Sequence, residues 1–416
     1  MKSTLLQFGV LLATIAIATA QESPYVLNRS RMVNTDVETE WENCIDIVRS
    51  APVIVNTIDS ASHLVTFTMP LSAAEVRDAV LEAQDIEKQP LTVHVTIWIA
   101  RVGNRTRLYV RAAPNGGGFF AHSNGQIELH ILDAIEKGGK WMPSNQEPSS
   151  QTTLDAPPRQ AEEAAVGVVR ASKQLQLNAS GSDPAVVTLS LIIPTGDLNK
   201  FVPKQANRYY PGAAHVTLWF VPSGSGTVLR TRTLILESGS LSPVPLMSNG
   251  ELESVIVNAV RERLKGRANA TVTIGSNYRG KLDFWNVLFD LEAPSKSAES
   301  VPSLTRDLPV PVEQAWTASL QTLTQTNVIV GADRGAGTLE FIAAHTSEIG
   351  TKYSVHRVNI TVSATDLGTR MSISIPRAEE TKDESENDLK LFSDCIGTEL
   401  FLKDRLKWLT EEKGLK

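Results

Sequence analysis

Val37-Glu38-Thr39-Glu40-Trp41 is followed, after eleven intervening residues, by Val53-Ile54-Val55; Val312-Glu313-Gln314-Ala315-Trp316 is followed, after the same gap, by Val328-Ile329-Val330. A tryptophan and a Val-Ile-Val run at one spacing in both halves of a chain mark an internal repeat. A second set of matches joins the first copy to a middle one. His94-Val95-Thr96-Ile97-Trp98-Ile99 corresponds to His215-Val216-Thr217-Leu218-Trp219-Phe220, and Ser123-Asn124-Gly125-Gln126-Ile127-Glu128 to Ser248-Asn249-Gly250-Glu251-Leu252-Glu253. The offsets between these pairs are nearly constant, as duplication requires.

Each copy decodes alike. Val37, Trp41, Ile45 and Val48 recur at helical spacing, as do Val312, Trp316, Leu320 and Leu323, so each copy opens with an amphipathic helix. The Val-Ile-Val run then starts a strand, and Asp59-Ser60 and Asp333-Arg334-Gly335 turn the chain into a second one near 64–69 and 337–343. Two more strands follow, 92–102 with 107–112 and 358–364 with 370–375. Helices 126–137, 251–265 and 388–412 close the copies. The middle copy lacks the tryptophan, but 162–173 fits its first helix and 174–178 its first strand. The expected class is α+β: three α-β-β-β-β-α modules, each an antiparallel four-stranded sheet with helices on one face. They span 33–141, 160–267 and 309–414. Linkers rich in Pro and Ser occupy 143–159 and 293–308, and an added segment 269–292 stands outside the repeat.

The N-terminus reads as a signal peptide over 1–20. Lys2 precedes the apolar run 5–18, and Ala18-Thr19-Ala20 supplies a cleavage site that makes Gln21 the mature start. Export to the periplasm or the medium is expected, and no later stretch is long and apolar enough to span a membrane. The net charge of −6 (40 Lys and Arg against 46 Asp and Glu) speaks against nucleic acid, which requires a basic face. The two cysteines, Cys44 and Cys395, fall on apolar helical faces, which fits buried thiols or one bridge between the terminal modules. Five Asn-x-Ser/Thr sequons occur, at Asn28, Asn104, Asn178, Asn269 and Asn359.

The third copy, with Leu308-Pro309-Val310-Pro311-Val312-Glu313-Gln314-Ala315-Trp316, Val328-Ile329-Val330, Asp333-Arg334 and Gly337-Thr338-Leu339-Glu340-Phe341, resembles the helix-grip modules of BamC-like envelope proteins. Those occur in the machinery that assembles outer-membrane β-barrels. The Pro-Val-x-x-Ala-Trp opening is also similar to that of START-like ligand-binding proteins. The resemblance implies tandem helix-grip-like modules that dock protein partners in the envelope, outer-membrane assembly components among them. The alternative it implies is a carrier with a lipid or small apolar ligand between sheet and helix. BamC-like proteins are lipoproteins with two modules, whereas this chain has three and no lipidation cysteine.

No nucleophile elbow, P-loop, His-Glu-x-x-His or Cys-x-x-Cys is present, so the expectation is a protein that is not an enzyme and carries no catalytic residues, cofactor or metal. His94, Trp98, His215 and Trp219 form the candidate binding set. Each pair shares a strand face, read either as a binding face common to two copies or as a half-exposed face kept through duplication. The third copy offers only His356 nearby, without the tryptophan.

Overall fold

A computed structural model of the chain describes residues 30–51, 53–71, 91–116, 119–120, 123–138, 150–182, 184–203, 212–237, 244–275, 303–326, 328–346 and 353–374. The leader expected over 1–20, the final helix expected over 388–412, Cys395 and most of the added segment lie outside the described residues.

The first module runs β1 (Ser30–Val33), α1 (Val37–Ser50), β2 (Ile54–Asp59), β3 (Leu64–Leu71), β4 (Leu91–Val102), β5 (Arg105–Gly116), β6 (Phe119–Phe120) and α2 (Gln126–Lys137). The second runs β7 (Gln151–Leu154), α3 (Pro158–Ala171), β8 (Leu175–Ser182), β9 (Ala185–Ile193), α4 (Thr195–Phe201), β10 (Gly212–Ser223), β11 (Gly226–Glu237), β12 (Val244–Met247) and α5 (Glu251–Leu264). The third runs β13 (Ser303–Leu308), α6 (Val312–Thr326), β14 (Val328–Asp333), β15 (Thr338–Thr346), β16 (Tyr353–Thr365) and β17 (Gly368–Ser374).

The α+β class and the antiparallel sheets stand; the four-stranded count does not. Sheet orders are β1-β5-β4-β3-β2 with β6 also on β5, β12-β11-β10-β9-β8 with β7 also on β11, and β13-β17-β16-β15-β14. Each module gains a strand before its first helix, antiparallel to its fourth long strand, with Arg31 opposite Leu108, Thr152 opposite Leu229 and Asp307 opposite Arg370. Strands of only four to six residues are too short to stand out in the sequence, and edge pairing supplies what propensity does not. Two of them, β7 and β13, lie inside stretches read as linkers, so those stretches belong to the sheets. Residues 269–274 of the added segment lie along the second module, where Ser172 Oγ accepts from Val272 N at 2.9 Å and Gln174 donates to the Ile274 carbonyl at 2.8 Å.

Local chemistry sets the helix ends. Asp36 caps α1 by accepting from Thr39 N at 3.0 Å, a contact worth about 1 kcal/mol. The duplicated Ser-Asn-Gly turn starts α2 and α5 in one way. Asn124 and Asn249 Oδ1 accept from the first helical N–H groups (3.0 and 3.1 Å), and Ser123 and Ser248 donate to Glu128 and Glu253 at 2.6 Å. Gly125 and Gly250 hold φ of 91° and 92°, a left-handed geometry that other residues enter at a cost.

Each sheet packs its helix-facing side into an apolar core, with Val93, Val95, Ile97 and Ile99 on β4 and Ala214, Val216, Leu218 and Phe220 on β10. The opposite face differs among modules. In the first two it is also buried, Thr92, His94, Thr96 and Trp98 lying under other modules, whereas β17 alternates buried with partly or fully exposed residues. The half-exposed face expected for β4 and β10 is therefore corrected. A sheet face is dry when another protein layer covers it, and strand period alone does not report a second layer.

Candidate functional site

Three β-bulges align the modules without reference to sequence. Register slips between Val55 and Thr57, between Leu177 and Ala179, and between Ile329 and Gly331. The residues facing these bulges, Phe67, Leu189 and Phe341, are therefore equivalent. Counting from them along the ladders, His94 corresponds to His215 and Arg357, and Trp98 to Trp219 and Thr361. The third counterpart of the histidines is thus Arg357. His356, paired with Ala343, stands one ladder position away.

The bulged asparagines were missed in the sequence and complete two matching polar clusters. Asn56 Nδ2 donates to Thr68 Oγ1 at 3.0 Å, and that hydroxyl lies 2.9 Å from His94 Nδ1. In the second module Ser190 Oγ donates to Asn178 Oδ1 at 3.1 Å, and Asn178 Nδ2 lies 3.3 Å from His215 Nε2. A bulge turns its extra residue toward the sheet face, which brings Asn56 and Asn178 beside residues two strands away. Asn178, a sequon at sequence level, is thereby committed inside the fold. His94 and His215 are 2% and 0% exposed. Burial, with the neighbouring His215 in second place, pushes His94 down to about 3, so it is neutral in the folded protein at ordinary pH. Burial likewise brings Arg232, beside Arg230 on the same face, down to about 10.

The two tryptophans hold modules together. Trp219 and Val186 of the second sheet enter the first module's core, and the Arg49 guanidinium of α1 lies 5.7 Å from the Trp219 ring. The Val55 N–H donates to Thr217 Oγ1 at 2.9 Å, fixing β2 across that face. One step round, Trp98 and Leu64 of the first sheet enter the third module's core beside Trp316. Trp98 stacks on Tyr109 at 4.9 Å, and Trp316 Nε1 donates to Ser62 Oγ at 2.7 Å. Two outer sheet faces thus receive the first helix and strand of another module, the second from the first and the first from the third.

Continuing the series, the third sheet's outer face would receive α3 and β8. A cavity of about 880 Å³ lies there instead, walled by Thr57, Asp59 and Ser60 of the first module, Asn178 and Ser180 of β8, and Asp333, Thr338, Glu340, Asn359, Thr361 and Ser374 of the third. Thr361 stands where the other sheets have tryptophan, and Thr338 where they have Leu64 and Val186. Loss of that side-chain volume leaves a gap between packed layers. Arg357 pairs with Glu340 across this face. The four predicted residues are therefore not brought together on one open surface. His94 and His215 neighbour each other, Trp98 and Trp219 fill two separate interfaces, and the open site lies on the sheet that has neither. The outward series Arg357, Asn359, Thr361, Ser363 is polar where its counterparts carry His and Trp, a signal legible once the register is known.

No family model matches the chain, and no curated protein matches it. Among solved structures, the di-domain ARO/CYC StfQ from the steffimycin biosynthetic pathway aligns over 62% of this chain and 99% of its own, at 10% identity and a TM-score of 0.19. DynU16, a putative protein in the dynemicin biosynthetic locus, aligns over 63% and 99%, at 13% identity and a TM-score of 0.13. The expectation that the chain is not an enzyme is corrected here. It rested on missing linear motifs alone. A site gathered from several strands leaves no short signature, so lacking one excludes motif-borne chemistry alone. Likeness at these TM-scores assigns no activity, substrate or residue to this chain.

Proposed function

We propose that the chain is an exported binding protein of the cell envelope, its three modules helix-grip units joined into one scaffold that docks a protein partner at the third sheet's outer face. The observation that carries this reading is the substitution of Thr361 for Trp98 and Trp219, which leaves open a face whose two counterparts each seat a helix and a strand. Such a face suits folded polypeptide in shape. Its walls mix Thr, Ser, Asn and carboxylates with Ile58, Leu177, Leu339 and Ile360, which favours a protein surface over the lipid or small apolar ligand of a START-like carrier, which would sit between sheet and helix. There the helix-facing sides carry packed Val, Ile and Leu. The BamC-like pattern of the third copy and the leader expected over 1–20 support an envelope location, and no helix among the described residues is long and apolar enough to cross a membrane.

The test uses the full chain in its own host, with a photo-crosslinking residue at Thr361. One reproducible partner should be captured from the envelope, and Thr361→Trp, which fills the gap as Trp98 and Trp219 fill theirs, should abolish association with that partner while melting stays unchanged. Co-purification of that partner with the tryptophan variant, or no capture at all, overturns the docking site. N-terminal sequencing of the mature protein should begin at Gln21, and a retained Met1 overturns export.

A further inference from the structure

We infer that the partner segment seated at the third sheet is basic, an extended Lys- or Arg-bearing stretch; this rests on the docking reading above. The cavity meets a second hollow of about 360 Å³ at Ser60, and the second is walled by Glu38, Glu42, Asp46 and Arg49 of α1 with Pro184. Six carboxylates line the two hollows, Glu38, Glu42 and Asp46 in the smaller and Asp59, Asp333 and Glu340 in the larger, against Arg49 and Arg334. Both cations are engaged. Arg49 pairs with Asp46 at 3.2 Å over the Trp219 ring, and Arg334 pairs with Glu313 over the Trp316 ring. Arg357 neutralises Glu340, and His63 lies 3.1 Å from Glu38. Glu42, Asp59 and Asp333 are left without an ion-pair partner among the described residues.

Asp59 is the second, independent sign. It lines the cavity at 8% exposure. Its Oδ1 accepts from Ala61 N at 3.1 Å, and its Oδ2 has no hydrogen-bond partner among the described residues. A buried carboxylate oxygen without a donor is costly, and an ammonium or guanidinium group brought by a ligand supplies both charge and donors. Apolar or anionic segments would leave Asp59 desolvated and uncompensated. A basic one is drawn in by the summed field of these carboxylates.

The experiment titrates a fluorescent octalysine peptide into the purified full chain, with octaglutamate and spermine as comparison probes. Saturable binding of octalysine is expected, weakening as salt rises toward about 0.2 M. Affinity should fall about tenfold or more in an Asp59→Asn/Asp333→Asn variant, whose amides keep the turn bonds to Ala61 and Ala336. Circular dichroism and melting should match the parent, and octalysine should protect the Thr361 position from cross-linking. Octaglutamate binding as tightly as octalysine, or the double variant keeping full affinity, overturns the basic partner. If Thr361 still captures a partner that Thr361→Trp excludes, the docking reading survives that result. Spermine binding as tightly as octalysine would move the site to small polyamines and overturn a peptide occupant.

Discussion

At the scale of the residue, His94 has the most measurable consequence. Its folded-state pKa, about 3, lies below the 6.5 of a free histidine, so the unfolded chain binds a proton that the folded chain refuses. The stability this histidine confers is complete above about pH 6.5 and is lost as pH falls toward 3; the full difference is on the order of 5 kcal/mol. Urea midpoints should fall as pH drops through this window, and His94→Gln, which keeps a hydrogen-bonding partner for Thr68, should flatten the slope. A variant with the parent's slope would assign the acid sensitivity to other groups. His215, buried beside Asn178, adds to the effect through its repulsion of a charged His94. Linkage of His215 to Asn178, and of His94 through Thr68 to Asn56, was hidden in the sequence, because one extra residue in a strand of six to eight breaks the alternation over too short a stretch to be read.

Among the elements, the Ser-Asn-Gly helix starts are the most predictable. The motif occurs twice in the sequence, and both copies build one network in which a serine bonds a buried glutamate and an asparagine accepts from the first turn. Gly250→Ala should cost about 1–2 kcal/mol, because its φ of 92° strains any side chain although nothing crowds the Cβ position. Ser248→Ala removes the hydroxyl that both accepts from Gly250 N and donates to Glu253, and should cost about 1–3 kcal/mol by leaving that carboxylate underbonded. Chemical denaturation checks both, and a neutral Gly250→Ala would mean that the turn relaxes out of the left-handed region. The first helices were equally legible from Trp41 and Trp316 at apolar spacing. Strands β1, β7 and β13 were not, since their pairing partner, the fourth long strand of each module, is what makes them strands.

For the whole molecule, two interfaces of one design and a third left open account for the shape of the site. Trp98→Ala and Trp219→Ala each remove a buried ring shared by two modules and should cost about 3–5 kcal/mol. Calorimetry should show a single transition in the parent split into two in each variant, since a severed interface lets one module melt alone. Both variants melting as one cooperative unit would mean that the remaining contacts suffice to couple the modules. The inverse change, Thr361→Trp, adds a ring where a gap exists and should leave melting unchanged.

The sequence by itself determined that three related α+β modules follow one another, where their first helices and main strands run, and which turns start the closing helices. These are local matters, set by apolar spacing, turn residues and caps within each copy. Tertiary structure alone decided that His94, Trp98, His215 and Trp219 are buried and that the site opens on the sheet lacking them. Each sheet face is dry or wet according to what another module places on it, and that depends on side-chain volume at Thr361 and Thr338 against a surface more than a hundred residues away in the chain.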